Sequence, residues 1–195
     1  MDAVNFATIT SSAVIIPSTA TPLDAAQAIA LNNNNNKAGR RWKSKNGERL
    51  RDARGYRLRA AGICARRNEA GEWELLLVSA QRGPHRWVIP GGGIELGEQM
   101  DEAVLREVEE EAGVRCEVLE TLGEFKDDDR LHRTTLFLLR SVEALDEWED
   151  GRSGRLRRWA GLRDSLELVK PSQRIMLELS ARRIAEIEKT ARSAR

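Results

Sequence analysis

The alternation of apolar and polar positions predicts five strands in the middle of the chain. Residues 59–66 and 73–80 are two mainly apolar runs separated by the turn-like NEAGE. Residues 87–89 form a third, short run before a glycine-rich stretch. Two longer runs follow at 116–125 and 132–143, and the second has a hydrophobic centre. Apolar runs of this length, bounded by turn-forming residues, are typical of β-strands.

Two segments have the spacing of amphipathic helices instead. Apolar residues recur with helical periodicity over 101–112, and the segment 173–189 has apolar residues at i, i+3 and i+4. Pro171 stands just before the second segment, where a proline favours the start of a helix. The pattern therefore predicts a domain that combines strands with helices.

The N-terminal part of the chain departs from this pattern. Residues 1–36 end in an asparagine run, and residues 37–59 carry ten Lys and Arg against two acidic residues. Such polar, low-complexity sequence has little apolar surface to offset its conformational entropy. We therefore expect residues 1–54 to be a tail without regular structure and residues 55–195 to form one folded domain.

Composition and charge narrow the class of protein. The 195 residues carry a formal charge of +1, and 41% of them are hydrophobic, which fits one globular domain with tails. No apolar run approaches the roughly 18 to 20 residues that cross a bilayer, so we expect no membrane partner. Cys64 and Cys116 are too few for a disulfide framework or a zinc site. The N-terminus lacks the basic start of a secretory signal, and we expect the cytoplasm or the nucleus as the location.

The basic segment 37–59 leaves three interpretations open. It is either a solvated linker, a nuclear-localisation patch, or a weak nucleic-acid contact in which Trp42 stacks on a base. The principal partner we expect is a small molecule, and nucleic acid is the lesser alternative.

The acidic stretch after three adjacent glycines is the first indication of chemistry. From Glu95 to Glu111, eight of seventeen residues are acidic, and Arg106 is the only cation. On a helix, Glu107 and Glu111 lie about 40° apart, and Glu110 lies about 60° to the other side of Glu107. The three carboxylates therefore share one stripe of the helix.

A solvated acidic face is the simplest alternative, but such helices usually carry Lys at i+4 to relieve repulsion. Two like charges 4 Å apart cost roughly 4 kcal/mol at an effective dielectric of 20. Val104, Val108 and Ala112 lie on the adjoining arc, so the stripe lies beside the face that is expected to be buried. Clustered carboxylate oxygens favour a hard divalent cation, Mg²⁺ or Mn²⁺.

The spacing of this stretch resembles the Nudix box, G-x5-E-x7-R-E-U-x-E-E-x-G-U, in which U is aliphatic. Every fixed position is filled, by Gly92, Glu98, Arg106, Glu107, Val108, Glu110, Glu111, Gly113 and Val114. Nudix enzymes hydrolyse nucleoside diphosphates linked to other moieties, and related diphosphates, with Mg²⁺ or Mn²⁺. The resemblance implies an α/β Nudix fold, in which a mixed β-sheet is sandwiched between α-helices.

The resemblance also implies a role for each residue of the box. Glu107, Glu111 and the carbonyl of Gly91 would bind the metal. Glu110 would be the base that takes a proton from the attacking water, and Arg106 would orient the glutamates.

Four further stretches resemble the diphosphoinositol polyphosphate phosphohydrolase branch of the family. They are the triple glycine, the HRT triplet, the EWED motif and the following GRxxRxW-like segment. The resemblance implies that a highly phosphorylated substrate is bound by Arg49, Arg57, Arg59, Ser79, Arg82, Gly91, Gly92, Gly93, Arg130, His132, Arg155 and Lys170. The chain departs from this branch at Ala80 and Gln81, where the branch has hydroxyl residues.

Three functions therefore stay open at this stage. The first is hydrolysis of diphosphoinositol polyphosphates, with diadenosine polyphosphates as additional substrates. The second is hydrolysis of nucleoside diphosphate-linked compounds such as diadenosine polyphosphates, ADP-ribose or RNA caps, for which Trp87 and Trp159 are candidate stacking platforms. The third is a non-catalytic sensor of inositol pyrophosphates.

Overall fold

The computed structural model describes residues 50–81 and 86–194. It also places the backbone of three two-residue strands, β1 (Ile15–Ile16), β2 (Lys43–Ser44) and β3 (Gly47–Glu48). The expected unstructured tail and the interpretations of the basic segment lie largely outside the described residues. No helix within the described ranges is long and apolar enough to cross a membrane.

Each predicted strand and helix is present in the domain. The strands are β4 (Arg57–Arg67), β5 (Trp73–Ser79), β6 (Trp87–Val88), β7 (Gly91–Gly93), β8 (Val114–Asp127), β9 (His132–Ala144) and β10 (Arg157–Gly161). The helices are α1 (Met100–Ala112), α2 (Leu162–Leu168) and α3 (Pro171–Ser193), with a 3₁₀ turn at Gly151–Ser153. The sequence pattern missed β7, β10 and α2. Strand β7 consists of three glycines, which show no alternation of side chains. Strand β10 begins at Arg157, within an arginine-rich stretch that does not indicate a strand.

Within the described residues, eight strands form one mixed sheet. The order is β1-β8-β9-β4-β5-β10, with β6 beside β5 and β7 beside β4. Strands β4 and β9 at the centre are parallel, from Arg57 opposite His132 to Ala65 opposite Arg140. The other pairings are antiparallel. Because β4 and β9 are parallel, their first residues lie side by side at one end of the two strands. The candidate site described below lies at this end.

Helices cover both faces of the sheet. Alternate residues of β4 face opposite sides, so Leu58 and Ala60 pack with α1 while Ala61 and Ile63 pack with α3. This arrangement confirms the predicted mixed sheet sandwiched between helices. The packed domain also includes Leu50, which is 3% exposed and exchanges backbone hydrogen bonds with Leu58 and Ile94. Leu50 therefore packs in the same core as α1, and the boundary at residue 55 stays a prediction.

Gly62 lets α1 lie close to the sheet. A Cβ at this position would be 2.5 Å from Leu139 Cδ1 and 3.0 Å from Val104 Cγ2. These atoms belong to the buried layer between sheet and helix. The missing side chain thus sets how near α1 and its carboxylates come to the strands.

We expect Gly62→Val to lower the free energy of unfolding by about 1–3 kcal/mol, because the added atoms overpack this layer. The matched control is Gly161→Ala, since a Cβ at Gly161 meets no atom within 4 Å. Urea denaturation monitored by tryptophan fluorescence measures both. Equal stabilities of Gly62→Val and wild type would contradict this description of the helix–sheet contact.

Candidate active site

The helix α1 brings its glutamates to the sheet. It begins with a capping box between Gln99 and Glu102 and ends at Gly113, which has a left-handed φ of 61°. Glu107 is only 6% exposed, although it is charged. Its carboxylate lies against Gly92 so closely that a Cβ on that glycine would collide with it. Position 92 therefore has to be a glycine, because any side chain there would overlap the carboxylate of Glu107.

Arg106 connects the glutamates to one another. Its guanidinium contacts Glu98 at 2.6 Å, Glu107 at 3.0 Å and Glu110 at 3.3 Å. It also donates to the carbonyl oxygen of Gly93 at 3.2 Å. One cation thus offsets three neighbouring carboxylates and ties them to the glycine strand β7.

Glu111 is held separately from the other glutamates. It accepts a hydrogen bond from the backbone N–H of Gly91 at 2.9 Å and forms an ion pair with Arg155 at 3.0 Å. The pKa of Glu111 is raised to about 7, mainly by burial, which outweighs the opposing effects of Arg155 and the Gly91 N–H, and the charge of Glu107 contributes to the rise. The pKa of Glu110 is also raised, first by burial and then by Glu107 and other neighbours, while Arg106 lowers it. The site therefore contains carboxylates whose ionisation is costly in the absence of a cation.

The carbonyl end of α1 is capped by the loop between β9 and β10. The indole N–H of Trp148 donates to Glu111 O at 3.1 Å, and the backbone N–H of Asp150 donates to Glu110 O at 3.0 Å. Arg157 Nη1 donates to the carbonyl oxygens of Ala112 and Gly113, both at 3.0 Å. The Arg157 guanidinium also lies 4.5 Å from the Trp148 ring centre. These contacts satisfy carbonyls that a helix terminus leaves without partners.

The glycine strand β7 lies between the glutamates and a pocket. Gly91 has φ of 156°, and a Cβ there would lie 2.5 Å from Ala60 O. The carbonyl oxygen of Gly91 accepts a hydrogen bond from Arg59 Nη2 at 2.8 Å. Gly91 therefore contacts Glu111 through its N–H and Arg59 through its oxygen.

A cationic pocket of about 740 Å³ opens beside Gly91. Its charged or titratable lining residues are Arg59, Lys126, Asp127, Asp128, Asp129, Arg130, His132 and Lys170. Strand register aligns Arg57, His132 and Asp127 across three adjacent strands. Burial, followed by Arg59 and Arg57, lowers the pKa of His132 to about 4, so the imidazole is neutral near pH 7. Burial and the charge of Arg130 likewise lower the pKa of Lys170.

The structure brings together some of the predicted substrate-binding residues but not all. Arg59, Gly91, Arg130, His132 and Lys170 line the pocket. Arg57 shares their face of β4, as the predicted alternation requires, and its charge acts on His132. Gly92 and Gly93 lie on β7 against Glu107 and Arg106.

The other predicted substrate-binding residues lie elsewhere. Arg155 is buried on Glu111 and does not line the pocket. Ser79 is 3% exposed, and its hydroxyl accepts a hydrogen bond from Leu156 N at 3.0 Å, away from the pocket lining. Arg49 and Arg82 lie outside the described residues.

Sequence reasoning missed two groups of residues at the site. Lys126, Ser172 and Gln173 line the pocket, and Trp148 and Arg157 cap α1. The EWED motif contained the tryptophan but gave no sign of its contact with the helix. An arginine among several in a basic loop likewise carries no signal for the carbonyls that it reaches.

The oxygen donors of Glu107, Glu111 and the Gly91 carbonyl fit a hard divalent cation. Raised carboxylate pKa values and the close approach of Glu107 to Gly92 agree with such a site. Within the described residues, no three acidic, His or Cys side chains already converge as a metal cluster. The glutamates are instead held by Arg106 and Arg155, so binding a cation requires these side chains to shift.

Comparison with known proteins agrees with this geometry. The family model described as "NUDIX domain" matches residues 56–179. The chain belongs to the Nudix family. It is 44% identical over 127 residues to diphosphoinositol polyphosphate phosphohydrolase 3-alpha of Mus musculus, covering 64% of this chain and 76% of the relative. The chain is therefore a Nudix hydrolase of the diphosphoinositol polyphosphate phosphohydrolase branch.

Two further similarities support the family and the fold. The Nudix hydrolase is 41% identical over 126 residues to diphosphoinositol polyphosphate phosphohydrolase 2 of Homo sapiens, covering 64% of this chain and 69% of that protein. A crystal structure of a C. elegans Ap4A hydrolase binary complex matches with a TM-score of 0.51 at 22% identity. It covers 66% of this chain and 98% of that one. At this identity the structural match supports the fold alone.

The cap on α1 predicts a stability effect at Arg157. Arg157→Ala removes the donor to the Ala112 carbonyl, whereas the Gly113 carbonyl keeps its hydrogen bond from Leu145 N at 2.8 Å. We expect the free energy of unfolding to fall by about 1–3 kcal/mol. The neighbouring Arg158 is exposed on β10, and Arg158→Ala should change stability by no more than about 0.5 kcal/mol. Urea denaturation compares the two, and equal losses would contradict a specific cap.

The pKa of Glu111 predicts a pH-dependent stability in protein free of divalent cations. The unfolded chain releases the proton near the ordinary pKa of 4.5 and the folded chain near 7. Between these values the unfolded state binds fewer protons, so stability falls as pH rises, by about 3 kcal/mol in total.

We expect Glu111→Gln to lack this fall and the exposed Glu109→Gln to retain it. Urea midpoints between pH 4.5 and pH 8 provide the measurement. A wild-type stability that is flat over this range, or a variant that keeps the same slope, would contradict the shifted pKa.

Proposed function

We propose that this Nudix hydrolase removes the terminal phosphate of diphosphoinositol polyphosphates in a reaction that depends on Mg²⁺ or Mn²⁺. The observation that carries the proposal is the cationic pocket beside Gly91, which adjoins the carboxylates of α1. A ligand with several phosphates requires several charged contacts, and arginine provides them in bidentate form. The names of the relatives in this branch support the same substrate class.

Glu107, Glu111 and the Gly91 carbonyl would hold the cation. When bound, the cation withdraws charge from the diphosphate and makes water a better nucleophile. Arg155 and Arg106 keep the carboxylates of Glu111 and Glu107 in place before the cation binds.

Glu110 takes the proton of the attacking water. The water oxygen bonds to the terminal phosphorus, and the anhydride P–O bond breaks with the inositol-bound phosphate, which keeps the bridging oxygen, as the leaving group. The terminal phosphorus and the water oxygen are released as inorganic phosphate. Burial and neighbouring carboxylates raise the pKa of Glu110, which suits a general base working near neutral pH. Arg106 positions this carboxylate through its contact at 3.3 Å.

The pocket residues position the inositol phosphates. Arg59, Arg130 and Lys170 contribute positive charge, and His132 contributes a neutral imidazole near pH 7. A bound polyanion would raise the pKa of His132 and favour its protonated form. Arg57 adds charge from the same face of β4. Roles for Arg49, Ser79, Arg82, Gly92, Gly93 and Arg155 in substrate binding stay predictions from the resemblance.

Diadenosine polyphosphates are the second candidate substrates. Tyr56 stands at the rim of the pocket, where its hydroxyl donates to Asp128 at 2.7 Å and Lys126 lies 4.5 Å from its ring centre. An aromatic ring at this place could stack on a base. Trp159 likewise has a cation over its ring, Arg66 at 4.0 Å, but it is not among the residues that line the pocket.

The cellular location and the partners of the enzyme stay predictions as well. We expect it to act in the cytoplasm or the nucleus on a phosphorylated small molecule. An RNA contact through the basic segment 37–59 would be additional to that activity, and it should disappear when residues 1–54 are deleted.

Glu110→Gln tests the catalytic assignment. We expect turnover with Mg²⁺ to fall by about 100-fold or more, with KM little changed, because the base is lost while the pocket stays intact. Glu109→Gln, the same change one position earlier on the exposed side, should stay within about twofold of wild type. Activity of Glu110→Gln close to that of wild type would show that another group acts as the base.

Separation of the reaction products by anion-exchange chromatography tests the substrate class, because hydrolysis of the nucleotide compounds yields nucleotides and not inorganic phosphate. The wild-type enzyme is compared on diphosphoinositol pentakisphosphate, diadenosine hexaphosphate and ADP-ribose. Preference for the inositol compound is the expected result. Activity on nucleotides alone would favour the second candidate, and binding without turnover of any compound would favour a sensor.

A further inference from the structure

The wall of the cationic pocket contains an unexpected acidic turn. Asp127, Asp128 and Asp129 follow one another at the end of β8 and all line the pocket, together with the cations Lys126 and Arg130. Three carboxylates oppose the binding of a polyanion. Their effect on ligand binding therefore depends on what each carboxylate contacts.

Asp127 is bonded to Arg130. Its Oδ1 accepts a hydrogen bond from the Arg130 backbone N–H at 3.0 Å, and its Oδ2 pairs with Arg130 Nη1 at 2.9 Å. Asp127 also lies opposite His132 in the register of β8 and β9. The carboxylate thus occupies Nη1 of Arg130, a cation that lines the same pocket.

The other two aspartates are arranged differently. Asp128 pairs with Lys126 at 2.9 Å and accepts a hydrogen bond from Tyr56 at 2.7 Å. Asp129 forms no ion pair with any residue in the part of the chain that the structure describes. Asp129 therefore carries the same charge at nearly the same place without competing for a pocket cation.

We propose that Asp127 lowers the affinity of the pocket for phosphorylated ligands, because its carboxylate competes with their phosphates for Arg130. This inference rests on the proposed function, because it concerns phosphorylated ligands of the same pocket. A solvent-exposed ion pair is weak, so a phosphate with two charges displaces the carboxylate. The exchange weakens the hold on every ligand that uses Arg130, including the product, which is still a polyanion after losing one phosphate. Asp127 thereby favours product dissociation.

Asp127→Asn separates the charge of this residue from its structural hydrogen bond. The amide oxygen still accepts the Arg130 backbone N–H, whereas the ion pair is lost. The probe is inositol hexakisphosphate, a polyanion without a diphosphate, titrated calorimetrically into the full-length protein. We expect Asp127→Asn to bind it about five- to tenfold more tightly than wild type, and Asp127→Glu to stay near wild type.

Two controls test whether the effect passes through Arg130. Asp129→Asn makes the same charge change and should tighten binding by about twofold or less, as expected for an exposed charge in water. In an Arg130→Ala background, the further change Asp127→Asn should alter affinity by no more than about twofold, since the competed cation is absent. Equal tightening by Asp127→Asn and Asp129→Asn would show a general field effect and overturn the proposal.

Two more outcomes would overturn it. Weaker binding by Asp127→Asn would show that the carboxylate supports the pocket instead of competing in it. A gain that persists without Arg130 would show that Asp127 acts on another group. If wild type and all variants fail to bind the probe, the proposed function fails together with this inference. If all of them bind it equally, this inference alone fails.

Discussion

Three carboxylates stay close together at one end of α1 because arginines and backbone N–H groups stand beside them. Like charges at such distances repel by several kcal/mol when water is largely excluded, roughly 4 kcal/mol at 4 Å and an effective dielectric of 20. Arg106 offsets Glu107 and Glu110, and Arg155 offsets Glu111. Burial is the main reason that the pKa of Glu111 is raised, and the ion pair with Arg155 offsets this effect only in part. A further cation nearby would favour the charged form of Glu111.

The sheet separates this acidic cluster from the cationic pocket, and Gly91 is the point where they meet. The glutamates lie on the face covered by α1, whereas the pocket includes Ala61 and Ile89 from the face covered by α3. Gly91 donates to Glu111 and accepts from Arg59. A residue with a side chain would not fit against Ala60 at this point. The carboxylate of Glu111 and the guanidinium of Arg59 are thereby held near each other through the backbone of Gly91.

The sequence was sufficient to predict what depends on local periodicity and exact spacing. The stripe of glutamates on α1, the long strands and the amphipathic α3 all follow from regular patterns, and the Nudix box identified the family. The contacts that cap α1 could not be predicted, because Trp148 and Arg157 reach its carbonyls from a loop distant in sequence. The contact between Cys64 and Cys116 could not be predicted either, because the two residues are distant in sequence. Their sulfur atoms lie 3.1 Å apart as free thiols.

The cap on α1 also has a consequence for the order in which the protein assembles. Helix formation is local and fast, so α1 can form as soon as its own residues are available. The residues that neutralise and cap its end, Arg155 and Arg157, follow only after the long β8–β9 hairpin. During synthesis α1 therefore emerges with Arg106 as its internal counter-charge, before Arg155 and Arg157 are available. A chain interrupted before Arg155 would leave Glu111 without its ion-pair partner.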